Sequence, residues 1–345
     1  MLPPKKIVWI DFAKGYAIFT IVCYHVLQRV ALPPVLAQAV VFGGTGVHLF
    51  FLLSGFGLGL SRTVLPPLTF YRRRLSKIWL PYVVALTLSW LGAYTLRLFS
   101  DGWPEWLAGV ALYQMFYEPY IQSFGGHFWF ISTILQLYLV FPVLVWVQKN
   151  VGSPIWFALS AFLLSAIWWV VVWQSGKGEL RIWNSFFLQF LWEFALGMSL
   201  AQWSRFPAKN ASAERIFKIL AVKNPIFWLI IGLGSSALMM VMILKMGPIG
   251  KIFNDAPALL GYTALCIFIW RIGQQYLPPL KKLFLWVSEF SFSLYLVHVL
   301  VLELYLLLIT GSTSATISLP MALLYLPFAL LGGWLFEPVS RKISQ

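Results

Sequence analysis

Long apolar runs separated by short polar stretches make up most of the chain. A helix needs about 20 such residues to cross the hydrocarbon core of a bilayer. Runs of that size recur at 7–28, 41–60, 78–98, 127–147, 155–173, 183–203, 225–245, 253–271, 283–309 and 318–338. In lipid each backbone polar group must be satisfied within the segment, so runs this long read as helices. The pattern predicts an all-α polytopic membrane protein, a bundle of about ten transmembrane helices. The stretch at 103–121 is amphipathic and bounded by proline, which predicts an interfacial or re-entrant segment. No polar connection is long enough to fold by itself, so 1–345 reads as a single integral-membrane domain. The chain carries no inverted repeat of the transporter kind.

Composition agrees with this picture. Only 10% of the residues are charged and 60% are hydrophobic, whereas a soluble domain has about 25% charged residues. The net charge of +14 raises nucleic acid as a partner. The basic residues lie between the spans, however, where cytoplasmic loops of membrane proteins are basic in any case. With the N-terminus in the cytoplasm, 18 of the 25 Lys and Arg fall inside, Lys5, Lys6, Arg62, Lys209, Arg215 and Lys218 among them. Six fall outside and Lys14 lies within the membrane. That bias gives an expected orientation with the N-terminus and C-terminus both cytoplasmic. Lys5 and Lys6 before an apolar run imitate a signal peptide. The run is about twice the length of an h-region and holds three ionisable groups, so it reads as a retained first span. Cys23 and Cys266 lie in apolar segments and read as packing residues.

Those three ionisable groups change the picture most. Asp11, Lys14 and His25 share one face of the first span. Lys14 and His25 are about 16 Å apart along the axis. Ionisable groups in lipid point to a polar cavity or to one another, and so to function. The alternative for His25 alone is a hydrogen bond to a backbone carbonyl of a neighbouring helix. Other candidates follow along the chain. His48 and Ser54 stand in a Gly-rich second span whose small residues equally suit close helix packing. Arg72, Arg73, Arg74 and Lys77 form a loop cluster that suits phosphate, or anionic lipid. The fourth span opens at His127 and carries Trp129 and Tyr138. Glu193 is a mid-span carboxylate, and His298 lies inside the ninth span. No hydrolase elbow, P-loop, metalloprotease helix or dinucleotide fingerprint is present, and no spacing predicts a bound metal.

In register, these segments resemble the acyltransferase-three family of bacterial integral-membrane acyltransferases over nearly the whole chain. The segments are Asp11-Phe-Ala-Lys14-Gly with His25, Gly46-Val-His48 through Ser54-Gly55-Phe56, and Arg74-Leu-Ser-Lys77 with Pro81. They continue with His127-Phe-Trp129 through Tyr138 and Pro142, Phe194-x-x-Gly197, and Ser293-x-Tyr295-Leu-x-His298. Lys14 and Lys77 stand where arginine is common in that family, and His48 where many members carry aspartate. Ile134 and Leu135 replace an acidic pair found in the branch with an appended extracytoplasmic domain, which this chain lacks.

The resemblance implies transfer of a small acyl group, acetyl ahead of succinyl, from cytoplasmic acyl-CoA. The acceptor it implies is a hydroxyl on a cell-envelope or exported glycan, and the location a bacterial inner membrane. Acetyl-CoA is then a donor substrate and no cofactor is permanently bound. Polysaccharide-export machinery, lipid-linked glycan and the bilayer are the expected partners. On this reading Arg73, Arg74 and Lys77 hold the CoA phosphates, and the pantetheine arm passes Lys14. His25 is the catalytic base. His48, Ser54, Trp129, Tyr138 and His298 line the substrate path, and Asp11 and Glu193 orient or balance charge. Two rival classes are a proton-coupled transporter or flippase and a non-catalytic partner in polysaccharide export.

Overall fold

The computed structural model describes residues 7–61, 66–205, 219 and 221–344. Lys5, Lys6, Arg62, Lys209, Arg215 and Lys218 lie outside the described residues. The described chain is helical throughout. It runs α1 (Val8–Leu27), α2 (Pro34–Val41), α3 (Gly46–Gly59), α4 (Pro67–Leu96) and α5 (Trp103–Val110). It continues with α6 (Trp129–Val151), α7 (Pro154–Gln174), α8 (Arg181–Asn184), α9 (Phe187–Arg205) and α10 (Pro225–Met246). The last five are α11 (Pro248–Phe253), α12 (Asp255–Gln275), α13 (Pro278–Ser288), α14 (Ser291–Thr310) and α15 (Leu319–Ile343).

Among the described residues, eight of these helices are long and apolar enough to cross a membrane: α1, α4, α6, α7, α10, α12, α14 and α15. The other two expected spans fall on α3 and α9. α3 has 14 residues, about 21 Å of helix against a hydrocarbon core of about 30 Å. α9 has 19 residues and includes Gln189, Glu193 and Gln202, which dilute its apolar character.

Two expected boundaries are corrected. The basic cluster does not sit in a loop: α4 starts at Pro67, a favoured first helical residue, and Arg72, Arg73, Arg74 and Lys77 ride on its early turns. Its 30 residues make a helix of about 45 Å, longer than the bilayer core. The expected span at 283–309 is two helices. Phe290 leaves helical geometry between α13 and α14, and the Glu289 carbonyl there accepts from Arg341 Nη2 at 3.4 Å.

The segment at 103–121 turns back along α4 as the re-entrant segment of the fold. Trp106 Nε1 donates to Thr87 Oγ1 (3.1 Å), Tyr82 to the Gly109 carbonyl (3.1 Å), and Trp79 Nε1 to the Val110 carbonyl (2.9 Å). The partners step down α4, from about 13 Å to about 25 Å below its Leu96 end. Irregular backbone is tolerated at that depth because α4 covers it. Three short 3-10 turns then bring the chain back to His127 and the start of α6.

Small residues set a close helix contact at the heart of the bundle. A Cβ placed on Gly55 of α3 would fall on the Phe194 carbonyl oxygen of α9, and one on Gly197 would fall on that of Leu52. The two backbones therefore touch reciprocally, with a glycine from each helix at the crossing. Gly55→Ala and Gly197→Ala should each cost about 1–3 kcal/mol through overpacking, seen as a lower melting temperature of the detergent-purified protein. Gly57, with open space around its Cβ position, should accept alanine with no loss. Equal effects at Gly55 and Gly57 would contradict this packing.

Candidate active site

Two polar groupings stand at different levels of the bundle, and α6 joins them. At one level Arg74 is half-buried, its guanidinium carbon 5.7 Å from the ring centroids of both Phe70 and Tyr138. Ser54 and Tyr138 share a hydrogen bond. Three helices thus bring Ser54, Arg74 and Tyr138 together. Arg73 and Lys77 are exposed on the same stretch of α4.

At the other level three histidines converge. The His25 and His298 ring centroids lie 5.0 Å apart, His127 and His298 4.9 Å, and His25 and His127 6.4 Å. Backbone carbonyls fix two of the rings. His298 Nδ1 faces the Tyr295 and Leu294 oxygens at 2.8 and 3.2 Å, so Nδ1 carries the proton. His127 Nε2 donates in the same way to the Leu296 oxygen at 3.4 Å. The other nitrogen of each ring is buried without a protein partner and keeps a lone pair. The backbone around them is pinned as well. Tyr295 donates to the His127 carbonyl, and Tyr325 to the His298 carbonyl at 2.5 Å.

His25 is half-buried, with the Gln28 side chain beside it. It opens onto a cavity of about 220 Å³ lined also by Gln28, Arg29, Gly125, Val299, Leu302 and Glu303. Arg29 and Glu303 close an ion pair of 2.6 Å in that wall. His127 precedes α6 by two residues, and from it to Tyr138 is eleven residues, about 16 Å at helical rise. The separation of His25 from Lys14 along α1 is the same.

A third cluster is fully interior. His48 Nδ1 lies 2.6 Å from Glu193 Oε1 and Nε2 lies 4.0 Å from Asp255 Oδ1. Gln189 Nε2 donates to Asp255 Oδ2 at 2.7 Å and to the Ile252 carbonyl at 3.0 Å. The donor atoms of His48, Glu193 and Asp255 lie within 4.8 Å of one another, and their chemistry is of a kind that binds transition metals. The imidazole nonetheless stands between two carboxylates, one at each ring nitrogen, which is the layout of a bridge more than of convergent ligands. The Gly55–Gly197 contact is what sets α3 and α9 close enough for His48 to reach Glu193.

The remaining expected residues are more dispersed. Lys14 and Asp11 are half-buried in the first two turns of α1. Trp129 is buried, packed against the Phe51–Phe190 stack with the Arg181 guanidinium carbon 4.2 Å from its ring centroid. Gln28, Arg29, Arg181, Asp255 and Glu303 were not singled out by the sequence reading. Asp255 and Glu303 carried a usable signal, since each is a carboxylate within an apolar run. Arg29 follows His25 by one helical turn and so shares its face. Gln28 and Arg181 carried none, because only the fold brings their partners near.

Removing one partner of the buried His48–Glu193 hydrogen bond leaves the other unsatisfied, at about 1–3 kcal/mol. Glu193→Ala should therefore lower the melting temperature sharply. The double variant with His48→Ala should lose less than the sum of the two single losses. Additive losses would show that the two groups are not coupled.

Compared with known proteins, a family model described as an acyltransferase domain matches residues 7–337. No curated protein and no solved structure matches the chain.

Proposed function

This chain belongs to the acyltransferase-three family, and we propose that it passes an acyl group, acetyl or succinyl, from cytoplasmic acyl-CoA to a hydroxyl of a cell-envelope or exported glycan. One observation carries the reading. His25 opens onto a cavity and packs against His298 and His127, about 16 Å, most of it along α6, from the Arg74–Tyr138 grouping. On this reading α3 and α9 complete ten spans, both termini are cytoplasmic, and the protein resides in a bacterial inner membrane. Arg73, Arg74 and Lys77 face the cytoplasm and receive the CoA phosphates, for which Arg offers paired donors. The pantetheine arm follows Lys14 towards the histidines.

His25 then acts as general base on the acceptor hydroxyl. The Gln28 side chain beside His25 is placed to orient the ring, the logic of a positioned base. The hydroxyl oxygen attacks the thioester carbon and its proton passes to His25. The departing CoA thiolate takes that proton. Gln28, Arg29 and Glu303 supply polar contacts for a polyhydroxylated acceptor in the cavity. The acyl group crosses the membrane while CoA stays on its own side.

Labelled acetyl-CoA, incubated with the purified protein and membrane glycan, should lose its label to the glycan. His25→Ala, at equal expression, should slow transfer by about 10²–10⁴-fold. Unchanged transfer in that variant would end the assignment. Charge reversal at Arg74 and Lys77 should raise the KM for acyl-CoA and leave that for the acceptor alone. An unchanged acyl-CoA KM would remove the phosphate role.

A further inference from the structure

Arg181 is held from two sides and yet has nothing to donate to. Its backbone N–H and that of Ile182 both donate to the Glu118 carboxylate, at 2.8 and 2.9 Å. Glu118 thereby ties the loop carrying Arg181 to the re-entrant segment. The guanidinium carbon sits 4.2 Å from the Trp129 ring centroid. Trp129 in turn packs against Phe51 and Phe190, with centroids 6.4 and 5.7 Å away, so the platform under the cation is fixed.

Tyr24, Glu118, Tyr295 and Asp255 lie within electrostatic reach of this guanidinium. Tyr24 packs on the His25 ring at 4.9 Å and Tyr295 on His127 at 5.6 Å. Arg181 therefore stands beside the histidine cluster. The two carboxylates among them are engaged elsewhere: Glu118 on two backbone N–H groups and Asp255 on Gln189. They draw a cation into the site without occupying its donors. Arginine has five N–H donors. Among the described residues no hydrogen bond joins those of Arg181 to a protein acceptor. Arg181 does not line the cavity that His25 opens onto.

We infer that Arg181 binds the oxyanion that forms on the thioester carbonyl during acyl transfer. The inference rests on the acyl-transfer reading above. As the acceptor oxygen bonds to the thioester carbon, the carbonyl π pair moves onto oxygen and the hydroxyl proton moves to His25. The oxygen then carries a full negative charge opposite the guanidinium. When the C=O bond re-forms, the C–S bond breaks and the thiolate takes the proton from His25. A preset cation on a rigid support stabilises the charged intermediate far more than the neutral thioester. The ligand class is thus an anionic carbonyl oxygen.

The test is steady-state acyl transfer in detergent or proteoliposomes, with acyl-CoA and acceptor varied separately. Arg181→Ala should lower kcat by about 100-fold or more at unchanged acyl-CoA KM, and added guanidinium should restore part of the lost rate. Arg181→Lys keeps the charge but not the planar fork or the stack, and should lower kcat by at least about 10-fold. Should Arg181→Ala elute as aggregate on size exclusion, the kcat and KM of Arg181→Lys decide the matter. A kcat within twofold of wild type overturns the inference. So does a loss confined to the acceptor KM, which would make Arg181 an anchor for an acidic acceptor. Absence of transfer in the wild type would instead overturn the proposed function and, with it, this role.

Discussion

The contact between Gly55 and Gly197 is the constraint on which the rest of the bundle's interior depends. Side chains on α3 and α9 meet only because the two backbones touch at that crossing. The His48–Glu193 pair follows from it, as does the aromatic stack of Phe51 on Phe190 at 4.5 Å. That stack forms the bed for Trp129, and Trp129 carries Arg181. A membrane bundle gains little from excluding water between helices, so close van der Waals contact and satisfied polar groups must hold it together. Glycine at a crossing permits both.

A second level of organisation is longitudinal. His127 stands just before the start of α6 and Tyr138 within it, while α1 carries His25 at one end and Lys14 nearer the other. Two helices far apart in sequence thus repeat the same order of a histidine and, about 16 Å away, a cationic or cation-binding group. The re-entrant segment closes the histidine end by returning the chain from beside Trp79 to His127. Its Asp101 oxygen accepts from the Phe124 N–H at 2.8 Å, which secures the approach to that histidine. The His25 cavity therefore opens where irregular backbone is braced by α4 and α14 instead of by lipid.

Much of this was legible in the residue pattern, for reasons that differ by element. The long helices announce themselves because lipid permits little else for 20 apolar residues. His25, His298, Glu193 and the basic cluster stand out because charge is expensive in that setting. Helix ends were less legible. Pro67 starts α4 eleven residues before the expected span, since a basic stretch reads as loop even when it is helical. The break at Phe290 has no glycine or proline to mark it. The convergence of His127 with His25 and His298 depends on a crossing of α1, α6 and α14, and no local pattern encodes it. Arg181 is the clearest case: it reads as one extracellular cation among six, and only the Glu118 clasp and the Trp129 stack give it a place beside the histidines.

A structure of the protein bound to a non-hydrolysable thioether analogue of acetyl-CoA tests the central claim most directly. The account predicts the nucleotide phosphates against Arg73, Arg74 and Lys77, and the acetyl carbonyl between His25 and Arg181. A nucleotide seated at the histidine end, or an acetyl group that stops at the level of Arg74 and Tyr138, would contradict it.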